Sequence, residues 1–290
     1  MGSERAGYEW SVKQGTNLRA GRWEMRHLLV RLSLILCGVF LVSCASAIPP
    51  ARIGDYVSSE HRASDDDAVA RIYQGPLQAA LVVVPDMADP GAAPNLPEEA
   101  LVRLGKRLQR DLPNTIPVEI HEMVSAGQIR PQPHGDWAQF GELGRQRGVD
   151  YLAVVIASST EQEYPTTLFW GWTTHGRPGF RRDNRSLLEF VLLDVKHNRI
   201  LMQDEGRGWG TLDRLSVPGI DQWYPAVYLR PQDERRIWPP TYEGAPNTLR
   251  VVSFEQAAKR LILKLQNSWR ELLESEATVR RASLLAPVRH

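Results

Sequence analysis

Three runs of strand length punctuate the middle of the chain, and the segments between them carry the 3.6-residue period of helices. Residues 78–85 (QAALVVVP) are almost continuously apolar and rich in β-branched side chains. Such a run reads as a strand buried on both faces. A loop follows at 89–97, where Leu96-Pro97-Glu98-Glu99 opens a helix. Proline is tolerated in a first turn, and acids there meet the positive end of the helix dipole. Leu101, Leu104 and Leu108 share one face, and the helix is expected to end near Leu112-Pro113. A second strand is predicted at 116–120. A second helix is predicted from Asp136, with Gln139 as its capping-box partner, Trp137, Phe140, Leu143 and Gly144 on the buried side and Gly148 as the stop. The third strand is predicted at 149–157 (VDYLAVVIA).

The pattern then changes. Residues 186–195 (SLLEFVLLDV) and 200–205 (ILMQDE) flank the polar tetrapeptide Lys196-His197-Asn198-Arg199, which predicts a hairpin. Residues 206–250 show no period and are rich in Pro, Gly, Trp and Tyr, so a long irregular insertion is expected there. Ser253 and Gln256 form a second capping-box pattern. The last helix is predicted from Phe254 to about Leu273, with Phe254, Ala257, Ala258, Leu261, Leu265, Trp269 and Leu272 on one stripe. The order β-α-β-α-β-β-β-α predicts an α/β (α+β) domain over 76–275. Its mixed sheet is parallel early and antiparallel at the hairpin, with helices packed on it. Residues 276–290 are expected to fray.

This succession, with Asp150-Tyr151-Leu152 after the second helix and Leu193-Asp194…Asn198-Arg199-Ile200-Leu201 at the hairpin, resembles a known compact domain. That domain occurs in the amino-terminal part of TolB, in the curli-secretion lipoprotein and in outer-membrane activators of penicillin-binding proteins. In this chain Asn198-Arg199 stands where those families carry a Thr-Gly turn, and the strand after Asp150 lacks their glycine. The resemblance spans roughly residues 76–270 and implies the fold. It also implies a role in assembling or activating an envelope machine.

Near the amino terminus, Arg22, Arg26, His27 and Arg31 precede an apolar stretch at 32–42, followed by Ser43, Cys44, Ala45 and Ser46. A charged region, an apolar region and a small-residue site make an export signal. The stretch is shorter than the roughly 17–25 residues of a spanning helix. Leu41-Val42-Ser43-Cys44 resembles the lipobox of bacterial lipoproteins, which implies that Cys44 is lipidated and becomes the first mature residue. Ala rather than Asp after it implies, by the same resemblance, the outer membrane with the domain on the periplasmic face. Cleavage after Ala45-Ser46-Ala47 and an uncleaved anchor are the alternatives. Residues 1–44 are thus expected to be signal peptide, with 1–24 a mis-annotated extension before a start at Met25. The polar residues 45–75, with Asp65-Asp66-Asp67, are expected to be a flexible tether.

Beyond Cys44 the mature chain has no cysteine, so no disulfide is available and a packed core must supply stability. The net charge is +1 and there is no basic block, which argues against nucleic acid. Neither G-x-S-x-G, H-E-x-x-H, P-loop nor dinucleotide glycine pattern occurs. His121, His134, His175 and His197 are isolated. Asp194, Asp204 and Glu205 could meet across the hairpin as a hydrolase's carboxylates but are expected to be solvated near a turn. No cofactor, metal or catalytic residue is expected.

The sharper signal is aromatic. Phe169-Trp170-Gly171-Trp172 lies in a polar excursion before the hairpin, and Trp209, Trp223-Tyr224, Tyr228, Trp238 and Tyr242 follow. Trp and Tyr dominate interface hot spots. They also pack irregular insertions, and they favour membrane surfaces. The sequence reading is a lipid-anchored periplasmic protein without catalytic activity. It binds another envelope component through 164–182 and 206–250, with Phe169, Trp170, Trp172, Trp223, Tyr224 and Trp238 as candidate contacts. The alternatives are a subunit of an oligomeric secretion complex, for which 168–172 looks too short to supply membrane-crossing hairpins, and a glycan or peptide hydrolase.

Overall fold

The structure is a computed structural model and describes residues 48–72, 75–88, 91–126, 129–131, 137–169, 176–216, 223–225 and 245–285. Its helices are α1 (Asp65–Ile72), α2 (Glu98–Asp111), α3 (Trp137–Arg147) and α4 (Ala245–Leu285). Its strands are β1 (Leu77–Asp86), β2 (Val118–Ser125), β3 (Tyr151–Phe169), β4 (Gly176–Asp194), β5 (Arg199–Leu215) and β6 (Trp223–Pro225). They form one six-stranded sheet in the order β2-β1-β3-β4-β5-β6. β1 pairs in parallel with β2 and β3, and the remaining pairs are antiparallel. The predicted mixed sheet and its order of elements are present, with α1 and β6 added.

Handedness explains where the helices lie. The crossover from β1 to β2 moves outward in the sheet, and the crossover from β2 to β3 moves back across β1. Right-handed crossovers in opposite directions must use opposite faces. Accordingly Leu104 and Leu108 of α2 pack with Leu81, Val155 and Phe190 on one face. Phe140 of α3 packs with Val82, Val154 and Val191 on the other. The central strands are therefore buried twice, which is why β1 reads as an unbroken apolar run. α4 covers the first face with Phe254, Ala257, Ala258, Leu261 and Leu265.

Four boundaries differ from the sequence reading. The expected tether is folded: turns of 3₁₀ helix at Ile53–Asp55 and Ser59–His61 and helix α1 lie within it. Ile53, Tyr56 and Val57 sit in the second core, and Ala68 and Ile72 in the first. Its apolar residues are few, but the two triplets at helical spacing, 53/56/57 and 68/69/72, suffice to dock it. Asp65-Asp66-Asp67 opens α1, where Ser64 Oγ accepts the Asp67 N–H at 3.2 Å. Asp194, expected to be solvated, is buried. It accepts Arg71 Nη1 at 2.7 Å and the His197 N–H at 2.9 Å, which ties α1 to the β4–β5 turn. In that turn Asn198 adopts φ 57°, a left-handed conformation its short polar side chain tolerates.

Within the expected excursion at 164–182, the described residues 164–169 and 176–182 are instead regular ladder. β3 and β4 pair from Tyr151↔Asp194 to Phe169↔Gly176. The expected insertion at 206–250 begins as strand, since β5 runs to Leu215, and ends as helix from Ala245. α4 also continues to Leu285, into the stretch expected to fray. The Ser253 pattern does not cap, and Asp136 of the other pattern lies outside the described residues. Ser253 lies inside α4, where its hydroxyl bonds Asn184 and Ser186. Gln139 brackets Arg130, accepting its N–H and donating to its carbonyl, both at 3.0 Å.

Candidate functional site

The sheet consists of a core and an arm. β1 pairs with β3 only as far as Asp86↔Ser158. Beyond that point β3 runs on to Phe169 beside β4 and β5. At about 3.4 Å per residue this projects roughly 35 Å past the end of β1. Ala92 bridges Thr160. Among the described residues, no strand pairs with β3 further out on the side away from β4.

The arm is polar on both faces. On the face that carries α4, Arg250 grips Glu161 with two hydrogen bonds of 2.7 and 3.1 Å. Further out, Arg182 bonds Glu163 and Arg214 lies over the Phe180 ring, 5.1 Å from its centroid. On the opposite face Arg181 forms a forked pair with Asp213 at 2.7 and 2.9 Å. That pair holds the guanidinium above its ordinary range, the bond to Asp213 outweighing its desolvation. Asp183 accepts Thr211 Oγ1 at 2.7 Å and Tyr164 O–H at 2.9 Å. These side chains fix one another's rotamers, so the arm is cross-braced along its length.

α4 locks the base of the arm. Gly206, Gly208 and Gly210 alternate along β5 and face the helix. A Cβ on Gly208 would collide with the Ser253 carbonyl, and one on Gly206 with the Ala257 carbonyl. Only glycine permits backbones so close. Above this contact the buried side chains of Asn184, Ser186 and Ser253 hydrogen-bond together, with Ser186 Oγ and Ser253 Oγ 2.7 Å apart.

The candidate aromatics sort unevenly. Phe169 forms the last rung of β3 against Gly176. Trp223 and Tyr224 lie in β6 opposite Arg214 and Asp213. These three positions therefore share the outer half of one arm. Trp170, Trp172, Trp238 and Cys44 lie outside the described residues. The hairpin carboxylates do not converge: Asp204 accepts Ser268 Oγ at 2.7 Å, and Glu205 pairs with Arg207 at 2.9 Å. Among the described residues there is no cluster of three His, Cys, Asp or Glu that could hold a metal ion. No helix among them is long and apolar enough to cross a membrane.

Sequence reading missed Arg185, Arg207 and Arg260, which line a 350 Å³ cavity with Trp209 at the base of the arm. The signal was there: once β4 and β5 are read as strands, Asp183, Arg185, Arg207, Trp209 and Thr211 fall on one face by alternation.

No protein-family model matches the chain, and no curated protein matches it in sequence. Solved structures with a similar arrangement include the LpoB C-terminal domain from Escherichia coli, at 14% identity and a TM-score of 0.26, covering 49% of this chain and 93% of that one. A hypothetical protein from Chlamydia trachomatis has 11% identity and a TM-score of 0.30, covering 66% and 96%. Rare lipoprotein B from Shewanella oneidensis has 12% identity and a TM-score of 0.19, covering 71% and 97%.

Proposed function

We propose that the chain is a lipid-anchored envelope protein, without catalytic activity of its own, that binds a protein partner on its β arm. The arm itself carries this reading. A strand ladder extended far past the core adds little to core burial. Among the described residues, it leaves a row of backbone donors and acceptors along β3 beyond Thr160 that another chain can pair with. The outer half also gathers the candidate contacts Phe169, Trp223 and Tyr224, and Trp170 and Trp172 follow Phe169 directly in the sequence. Aromatic anchors on a braced platform suit a hot spot, because little side-chain freedom remains to be lost on binding.

The secretion-subunit alternative needs strands that show lipid an unbroken apolar face. The arm is long enough, but Glu161, Glu163 and Arg182 lie on one face and Arg181, Asp183 and Arg185 on the other. Exposing such side chains to the bilayer midplane costs up to about 2–4 kcal/mol each, so the arm suits water and a protein partner better.

The test is a crosslinked pull-down from envelopes, comparing the wild type with a Trp170→Ala/Trp172→Ala/Trp238→Ala variant of matched circular dichroism and with Cys44→Ala. The aromatic variant is expected to lose one specific partner while staying in the membrane fraction. Cys44→Ala is expected to leave that fraction. An unchanged partner set with the fold intact would sink the docking reading, and a membrane-bound Cys44→Ala would sink the anchor.

A further inference from the structure

At the base of the arm, the cavity of 350 Å³ is lined by Ile48, Pro49, Arg185, Arg207 and Trp209 and by Arg260 of α4, with Asp183 and Thr211 also in its wall. Its charge is lopsided, with three guanidinium groups against one carboxylate. That carboxylate is already engaged, since Asp183 accepts from Tyr164 and Thr211. Arg260 donates to the Arg207 carbonyl at 2.6 Å and lies 5.4 Å from the Trp209 ring centroid, so its position is set from two sides. Arg207 is paired with Glu205 at the rim. Arg185 is half-buried and, among the described residues, is held by no hydrogen bond or ion pair. A partly desolvated guanidinium lining a mostly apolar cavity is incomplete without an anion, and its planar fork matches phosphate oxygens in pairs.

We propose that this cavity binds the phosphate of an anionic lipid head group, with Arg185 as the principal ligand, Arg207 and Arg260 flanking it, and Trp209 and Pro49 packing against the apolar remainder. The chain path points to the source. Ile48 lies four residues after Cys44, and four residues span at most about 14 Å. An acylated Cys44 would therefore hold the cavity at the bilayer surface, where indole rings also prefer to sit. This placement rests on the proposed anchor; the recognition of phosphate by the arginines does not.

The experiment is isothermal titration of the full chain, purified from membranes in a non-ionic detergent. The probes are dihexanoyl phosphatidic acid, dihexanoyl phosphatidylcholine and inorganic phosphate. Saturable binding of the phosphatidic acid is expected, at least about tenfold tighter than either other probe. Arg185→Gln should weaken it about tenfold or more with the melting temperature unchanged, and Arg185→Lys should fall between. If Arg185→Gln proves unstable, Arg207→Gln, on an exposed side chain, is expected to weaken binding in the same direction. Equal binding of phosphate and phosphatidic acid would overturn the head-group assignment in favour of a free anion. Binding that ignores both substitutions, or none at millimolar probe, would overturn the site. Because the titration is done in detergent solution, a failure of the anchor appears only in the membrane fractionation of Cys44→Ala.

Discussion

Gly208 shows how much of this fold turns on single residues. Its missing side chain lets the Ser253 carbonyl of α4 come against β5; Gly206 does the same for the Ala257 carbonyl, and Gly210 makes room for the Leu249 side chain. Gly208→Ala is expected to cost about 2–3 kcal/mol, because neither backbone can give way. Gly54→Ala meets nothing within 4 Å and should stay within about 0.5 kcal/mol. Urea midpoints of the two variants check this, and similar losses at both positions would contradict the close-approach account. The G-R-G-W-G run was present in the sequence but read as irregular, since alternating glycine lowers strand propensity. The partner that explains it, α4, comes forty residues later.

At the scale of elements, the segment before α1 is the clearest case of structure held by a few contacts. Glu189 of β4 accepts the Arg52 N–H at 2.7 Å and the Ile53 N–H at 3.1 Å, pinning that segment over the second core. Burial raises the Glu189 carboxyl above its ordinary 4.5, more than the two N–H donors lower it. The folded chain then binds this proton more tightly than the unfolded chain. Stability from this group is fully present below its ordinary 4.5 and is lost as pH rises through the raised value. Glu189→Gln removes the titration, with a pH-independent cost for the lost acceptor. Unfolding free energies at pH 7, 6 and 5 should therefore show the wild type gaining on the variant as pH falls; a flat or opposite trend would contradict it. The doubly buried strands were legible because they are apolar throughout. The docked segment was not, because its six anchoring residues are spread through polar neighbours. The outer arm was not either, because charges occupy both of its faces and Pro165 and Pro178 interrupt its ladder pattern.

For the whole molecule, the architecture divides stability from display. The two cores hold the helices and the inner halves of the strands, while the outer halves of β3, β4 and β5 carry the ion pairs that brace the arm. The order of elements was readable from alternation alone, and the opposite placement of α2 and α3 follows from crossover handedness. The division into core and arm was not readable, because it depends on where β1 stops pairing with β3, a register that no local pattern encodes. The proposed docking surface is the arm. The direct measurement is site-specific photocrosslinking in intact cells, with a benzoylphenylalanine placed at Thr167 on the outer arm or at Lys106 on the exposed side of α2. The account predicts one discrete crosslinked protein species from Thr167, lost when Trp170 and Trp172 are replaced by alanine, and none from Lys106. The same species from both positions, or none from Thr167 in a membrane-localised and folded protein, would contradict it.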